Sequence, residues 1–171
     1  MLAIPLILTL SILVGLPPQS ALPSPQSIDA MTGTWVLNRT RSEGLTGGLK
    51  GAEVELVVER KEKEWTVSQV VRIRGRQVPS EPLRYQLDGR ETYVDVVRPL
   101  AGTMELVARL LEDGDILSLK STISGEDQGK PVTLLTRETW QMIDQGKRLQ
   151  IVRVREWGTQ SQESTLIFER R

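Results

Sequence analysis

The sequence predicts an all-β domain, an antiparallel up-and-down β-barrel of about eight to ten strands, preceded by an N-terminal signal segment. Three observations carry that expectation. From Thr34 onward, apolar residues recur with period two in runs of about five to ten residues. Short turn sequences separate the runs, which places neighbours in sequence to pair as a meander. No segment shows the apolar spacing of an amphipathic helix. A sheet of that many strands twists, and curling it closed removes its unpaired edges.

The chain opens with sixteen uncharged residues, Met1 to Leu16, rich in Leu and Ile and ended by Pro17-Pro18. That run is shorter than the roughly 20 residues a spanning helix needs, so residues 1–27 read as a signal peptide with a Pro/Ser-rich linker. The expected location is secreted or periplasmic. An uncleaved N-terminal anchor is the alternative, because the segment lacks the usual Lys or Arg at its start. Residues 28–171 then form the domain. Its first strand is Gly33 to Asn38, followed by a glycine-rich loop to Gly51. Val54, Leu56 and Val58 alternate with glutamates and turn at Arg60 to Lys63 into Trp65, Val67, Val71 and Ile73, a hairpin. Leu83, Tyr85 and Leu87 run into Asp88-Gly89, a hairpin dipeptide, and Thr92 to Val97 returns. Met104 to Leu110 turns at Asp113-Gly114 into Leu117 to Ile123. Val132 to Met142 turns at Gly146 into Leu149 to Trp157, and Ser164 to Phe168 ends the series. A two-sheet sandwich needs longer crossovers than most of these connections provide. A membrane barrel needs aromatic girdles, and aromatics are 4% of the chain.

Composition removes several function classes. With no histidine and no cysteine, the chain has no Ser-His-Asp or Cys-His nucleophile system and no imidazole or thiolate metal site. The 22 basic residues balance the 22 acidic ones, and no basic cluster is interleaved with aromatics, so a nucleic-acid partner is not expected. No cofactor is implied. The glycines from Gly44 to Gly51 lack the Gly-Lys-Ser/Thr ending of a phosphate-binding loop, and no helix follows them.

Gly33-Thr34-Trp35 at the head of the first strand, with Leu37-Asn38 and Ser42 after it, resembles the start of lipocalin-like domains of secreted bacterial proteins, a calycin-type β-barrel group. Glu138-Thr139-Trp140, the turn at Gly146-Lys147, Leu149-Gln150-Ile151 and Phe168-Glu169-Arg170 resemble the ending of the same group. About 60 residues between are matched only by strand rhythm. The resemblance implies that Trp35 lies across the closed end of the barrel and stacks with Arg170, or with Arg153 as the second choice. It also implies that the first connection lies over the open mouth as a lid. The chain departs from classical lipocalins in having no Thr-Asp-Tyr segment, no disulfide and no helix after the last strand.

Inside such a barrel, Arg153, Glu138, Trp140, Trp65 and Tyr85 are the candidate ligand-binding residues. Glu138 shares a strand face with Leu134, Trp140 and Met142, and Arg153 shares one with Leu149 and Ile151, on strands expected to be neighbours. An inward guanidinium matches a carboxylate by two-point hydrogen bonding. The opposite parity, with Val152 and Val154 inward and the arginines in solvent, fits the same residues. Trp65, Trp140 and Trp157 either line a cavity or fill the core, and Asp95 with Glu138 is a candidate carboxylate pair. The expected function is a secreted, non-catalytic binding protein for a small apolar or amphipathic ligand; the alternative is a packed barrel acting as a structural or protein-interaction module. Interior volume discriminates between them.

Overall fold

The computed structural model describes residues 28–111 and 114–171. The expected signal segment and linker, residues 1–27, lie outside them. After a 3₁₀ turn at Ile28–Met31 come β1 (Gly33–Leu37), a second 3₁₀ turn (Gly47–Gly51), β2 (Ala52–Lys61), β3 (Glu64–Ile73), β4 (Arg76–Val78), β5 (Leu83–Gln86) and β6 (Thr92–Val96). β7 (Gly102–Leu111), β8 (Ile116–Asp127), β9 (Lys130–Ile143), β10 (Arg148–Trp157) and β11 (Gln160–Arg170) complete the chain. All belong to one antiparallel sheet in the order β4-β3-β2-β1-β11-β10-β9-β8-β7-β6, with β5 also on β3. From β1 to β4 and from β6 to β11 this is the meander that period-two runs and short turns dictate; the β1–β11 pairing joins the first and last strands.

Two details differ from the sequence expectation. The segment around Gly75 to Pro82, expected as a connection, contains β4, which pairs with the upper half of β3 while β5 pairs with its lower half. Asp88-Gly89 does make a turn, with Gly89 at φ 81°, yet no ladder joins β5 to β6 among the described residues. Leu87 N–H donates to the Lys63 carbonyl at 2.8 Å, so the chain follows β3 up to the turn. Beyond it, Thr92 to Val96 take their partners from Leu106 to Gly102 of β7. The dipeptide specifies a reversal of direction, and the pairing is decided by which ladder each strand extends. The seam closes by β5 packing near β7 and by Thr92 Oγ1 donating to the Arg84 carbonyl at 2.9 Å.

The core lies inside the curl. Trp35, Leu56, Val58, Trp65, Val67, Tyr85, Leu106, Leu117, Leu119, Trp140, Leu149, Ile151, Leu166 and Phe168 alternate inward and are buried. The two ends of the barrel are built differently. At the end holding the β2–β3, β7–β8 and β9–β10 turns, the Ile28–Met31 turn packs against β9 and plugs the opening with Ile28 and Met31. Trp35 Nε1 donates to the Met31 carbonyl at 2.8 Å. The Arg170 guanidinium sits 4.3 Å from the centroid of the Trp35 ring and donates to the Ala30 and Thr32 carbonyls. Gly33 is required there: its φ is +121°, and a Cβ would lie 2.7 Å from Arg170 Nη1.

Candidate functional site

The site grows from the parity of β10. Leu149 and Ile151 are fully buried, so Arg153, two residues further on, points inward as well. Register places it between Glu138 of β9 and Ser164 of β11. Arg153 Nε donates to Glu138 Oε1 at 2.6 Å, and Trp140 Nε1 donates to Glu138 Oε2 at 2.8 Å. The Arg153 and Glu138 side chains are 13% and 14% exposed, so this ion pair is largely shielded from solvent screening. Both oxygens of Glu138 are engaged, and the guanidinium is held by one edge.

Tyr85 lies within electrostatic reach of the pair. Burial raises the pKa of its phenol well above the ordinary value of 10.0; the Glu138 carboxylate adds to the rise and Arg153 opposes it. Its hydroxyl makes no hydrogen bond to the described residues. Trp65, facing Tyr85 across the β3–β5 ladder, is fully buried, and its Nε1 has no hydrogen-bond partner among the described residues.

One strand step above Arg153, the character of the wall changes. Gln162, Arg155, Thr136 and Ser121 stand in one register row across β11, β10, β9 and β8. Above that row the barrel opens into a cavity of about 280 Å³ lined by Thr46, Gly47, Gly48, Leu49, Val71, Ile73, Arg153, Arg155 and Gln162. Arg155 reaches solvent there, yet the surrounding wall still lowers its pKa, through desolvation first and then the charge of Arg153, with Glu138 opposing. The second 3₁₀ turn, Gly47–Gly51, forms one rim of the cavity. It is anchored by Gln162 Nε2, which donates to the Gly44 carbonyl at 3.2 Å and to Thr46 Oγ1 at 2.5 Å, and by a bridge between Glu43 and Thr165. Gly44 allows that approach: its φ is +66°, and a Cβ would lie 2.4 Å from the Glu163 carbonyl oxygen. Larger hollows of about 670 and 690 Å³ lie outside the barrel, walled mainly by charged side chains of the β2–β3 turn and its neighbours. They are open clefts in which water competes for every polar group.

Of the five candidate ligand-binding residues, Arg153 lines the mouth cavity; Glu138, opposite it in the ladder, accepts from its Nε and in turn from Trp140 Nε1; Trp65 and Tyr85 belong to the packed core. Asp95 stands apart from Glu138, exposed on β6, where its carboxylate accepts from Thr103 Oγ1. Trp157 is half-buried against the core. The residues not singled out from the sequence are Arg155, Gln162, Thr46, Val71 and Ile73. Arg155 and Gln162 carried a signal: they are polar residues at positions of inward parity.

No protein-family model and no curated protein matches this chain. Among solved structures, it is similar to zebrafish ileal bile acid-binding protein complexed with cholic acid, with a TM-score of 0.52 and 13% sequence identity. The match covers 83% of this chain and 99% of that one. The fold is a calycin-type β-barrel. At that identity the likeness concerns the path of the backbone. Among the described residues, no helix is long and apolar enough to cross a membrane.

Proposed function

We propose that this chain is a non-catalytic binding protein that holds a small amphipathic molecule at the mouth of its barrel, and that it acts outside the cytoplasm. One observation carries the reading. The lower barrel is filled by Trp35, Trp65, Trp140 and Phe168, whereas the mouth keeps a cavity of about 280 Å³ whose wall is apolar on one side and polar on the other. Leu49, Val71 and Ile73 supply the apolar side; Thr46, Arg153, Arg155 and Gln162 supply the polar one. Such a mixed lining, in a cavity just under the roughly 300 Å³ at which ligand pockets begin, suits a small molecule with one apolar and one polar part. The zebrafish protein of similar fold is named for bile acids and carries cholic acid, which supports a ligand role for a barrel of this shape. The absence of imidazole and thiol from the sequence supports a role without catalysis. The uncharged apolar start, Met1 to Leu16, supports export.

Native mass spectrometry of the protein purified gently from its own host, compared with the denatured mass, tests the reading. An excess mass that disappears on denaturation is the expected result. A clean apo mass from several growth conditions would favour the second reading, a packed interaction module, which the filled lower half of the barrel supports on its own.

A further inference from the structure

We propose that the seam between β5 and β6 is a docking site for an extended basic peptide, which adds to the barrel wall as a strand. The site is separate from the mouth and does not depend on a ligand there.

Leu87 N–H donates to the Lys63 carbonyl, and the β3–β5 register carries that alternation on through Tyr85 opposite Trp65 and Leu83 opposite Val67. The main-chain groups of Arg84 and Gln86 therefore point the other way, into the seam. β6 likewise has its ladder on one side, with β7. Two strand edges thus face each other, bridged toward the plugged end by Thr92 Oγ1, which donates to the Arg84 carbonyl at 2.9 Å. Residues 79–82, which precede β5, do not supply the missing ladder, because Pro79 and Pro82 carry no N–H.

A cleft of about 470 Å³ lies along these edges. Val94 and Leu106 give it an apolar floor, and Tyr93 stands beside them with 62% of its surface exposed. Its lips hold Glu64, Glu81 and Arg84, none of which makes an ion pair with the described residues. Two carboxylates against one guanidinium leave the cleft negative. Glu91, which accepts from the Tyr93 hydroxyl, and Asp95, exposed on β6, add to that sign, while Arg90 at the foot of the seam is matched by Asp88. These features select the occupant. An extended chain offers its own N–H and C=O groups to the free edges, and its side chains alternate between floor and lips. Apolar residues cover Val94 and Leu106; lysine or arginine meets Glu64 and Glu81 and lies against the Tyr93 ring. A peptide of alternating basic and apolar residues therefore matches both faces and the edge at once.

Calorimetric titration and amide hydrogen exchange with a capped seven-residue peptide of alternating lysine and valine test the proposal. The controls are the same peptide with glutamate in place of lysine, and two versions N-methylated at alternate residues, one for each edge. The lysine peptide is expected to bind about tenfold more tightly than the glutamate peptide and than at least one methylated version. In its presence, exchange at the Arg84 and Gln86 amides should slow by about fivefold or more. Combining Glu64→Gln with Glu81→Gln should weaken binding about threefold at the parent melting temperature. Full affinity in both methylated versions, or protection confined to amides away from the seam, would overturn strand addition. Equal binding of the glutamate peptide, or an affinity unchanged in the double variant, would overturn the basic preference. Absence of binding by the lysine peptide would remove the proposal and leave the binding role of the mouth standing.

Discussion

The plugged end of the barrel and its mouth are built from the same strands, yet they differ in almost every physical respect. At the plugged end, Met31, Trp35, Trp140, Leu117, Leu149 and Phe168 are at most 1% exposed, and the plug itself is pinned by polar contacts: Trp35 to the Met31 carbonyl, Arg170 to the carbonyls of Ala30 and Thr32. At the mouth, Leu49, Val71, Ile73 and Trp157 are only partly buried, and Arg155 has no partner among the described residues. Strand alternation is unbroken between the two. What changes is the residue type at inward positions, from Trp65 and Val67 to Gln69 along β3, and from Leu149 and Ile151 to Arg153 and Arg155 along β10. The barrel thus differs along its axis: one end is closely packed, the other under-packed and more polar.

Mutations at the two ends should separate cleanly. The largest effect belongs to Trp35→Ala, which removes a fully buried ring, its hydrogen bond and its stack with Arg170; we expect about 3 to 5 kcal/mol of lost stability in urea unfolding. Ligand affinity of the folded fraction should stay at the parent value. An unchanged melting midpoint would break the division between the ends, because cohesion would then not reside at the plug.

The Arg153–Glu138 pair lies on the boundary, and its removal should show which side it serves. Arg153→Met strands a shielded carboxylate with only the Trp140 donor and should cost about 3 kcal/mol. Adding Glu138→Gln keeps an acceptor for Trp140 and removes the stranded charge, so the double variant should recover most of the loss. A double variant as unstable as the single would mean that Arg153 contributes chiefly by packing, and a thermodynamic cycle of the four proteins measures the difference.

Tyr85 gives the smallest and most specific effect. Its pKa is raised in the folded protein, chiefly by burial. Stability owed to the neutral phenol is therefore complete below the unfolded value of 10.0 and is lost as pH rises above it, because the unfolded chain releases a proton that the folded one keeps. The loss approaches about 1.4 kcal/mol per pH unit. Tyr85→Phe should flatten that part of the profile relative to the parent in parallel urea titrations from pH 9 to 11. Coincident slopes would place the phenol in contact with water.

The fold was legible because alternation is a property of residues on a single strand. The runs at Val54 to Val58, Trp65 to Ile73 and Leu149 to Trp157 each state a strand, and the turns between them state its neighbour. The seam was not legible: whether β5 pairs with β6 depends on where β3 lies, which Asp88-Gly89 does not encode. Arg153 and Glu138 were legible as a facing pair, since Leu149 and Ile151 set the parity once one face was known to be inward. Arg155 was hidden by that ambiguity, as an arginine at the end of a strand reads equally well as a solvated one. Val71 and Ile73 read as ordinary core residues, and only the position of the Gly47–Gly51 turn shows that they stop short of being covered.

Arg170 hydrogen-bonds to Ala30 across 140 residues of chain, and the strand that carries it pairs with one edge of β1. As the polypeptide is synthesised, β1 and β2 can pair early, but that edge stays open until β11 has been added. Closing so long a loop carries an entropic cost that grows only slowly with length, whereas the wait for the closing segment grows with every residue added. The β1–β11 join therefore waits for β11, and until then the nascent chain exposes the hydrogen-bonding edge of β1 to any other strand it meets.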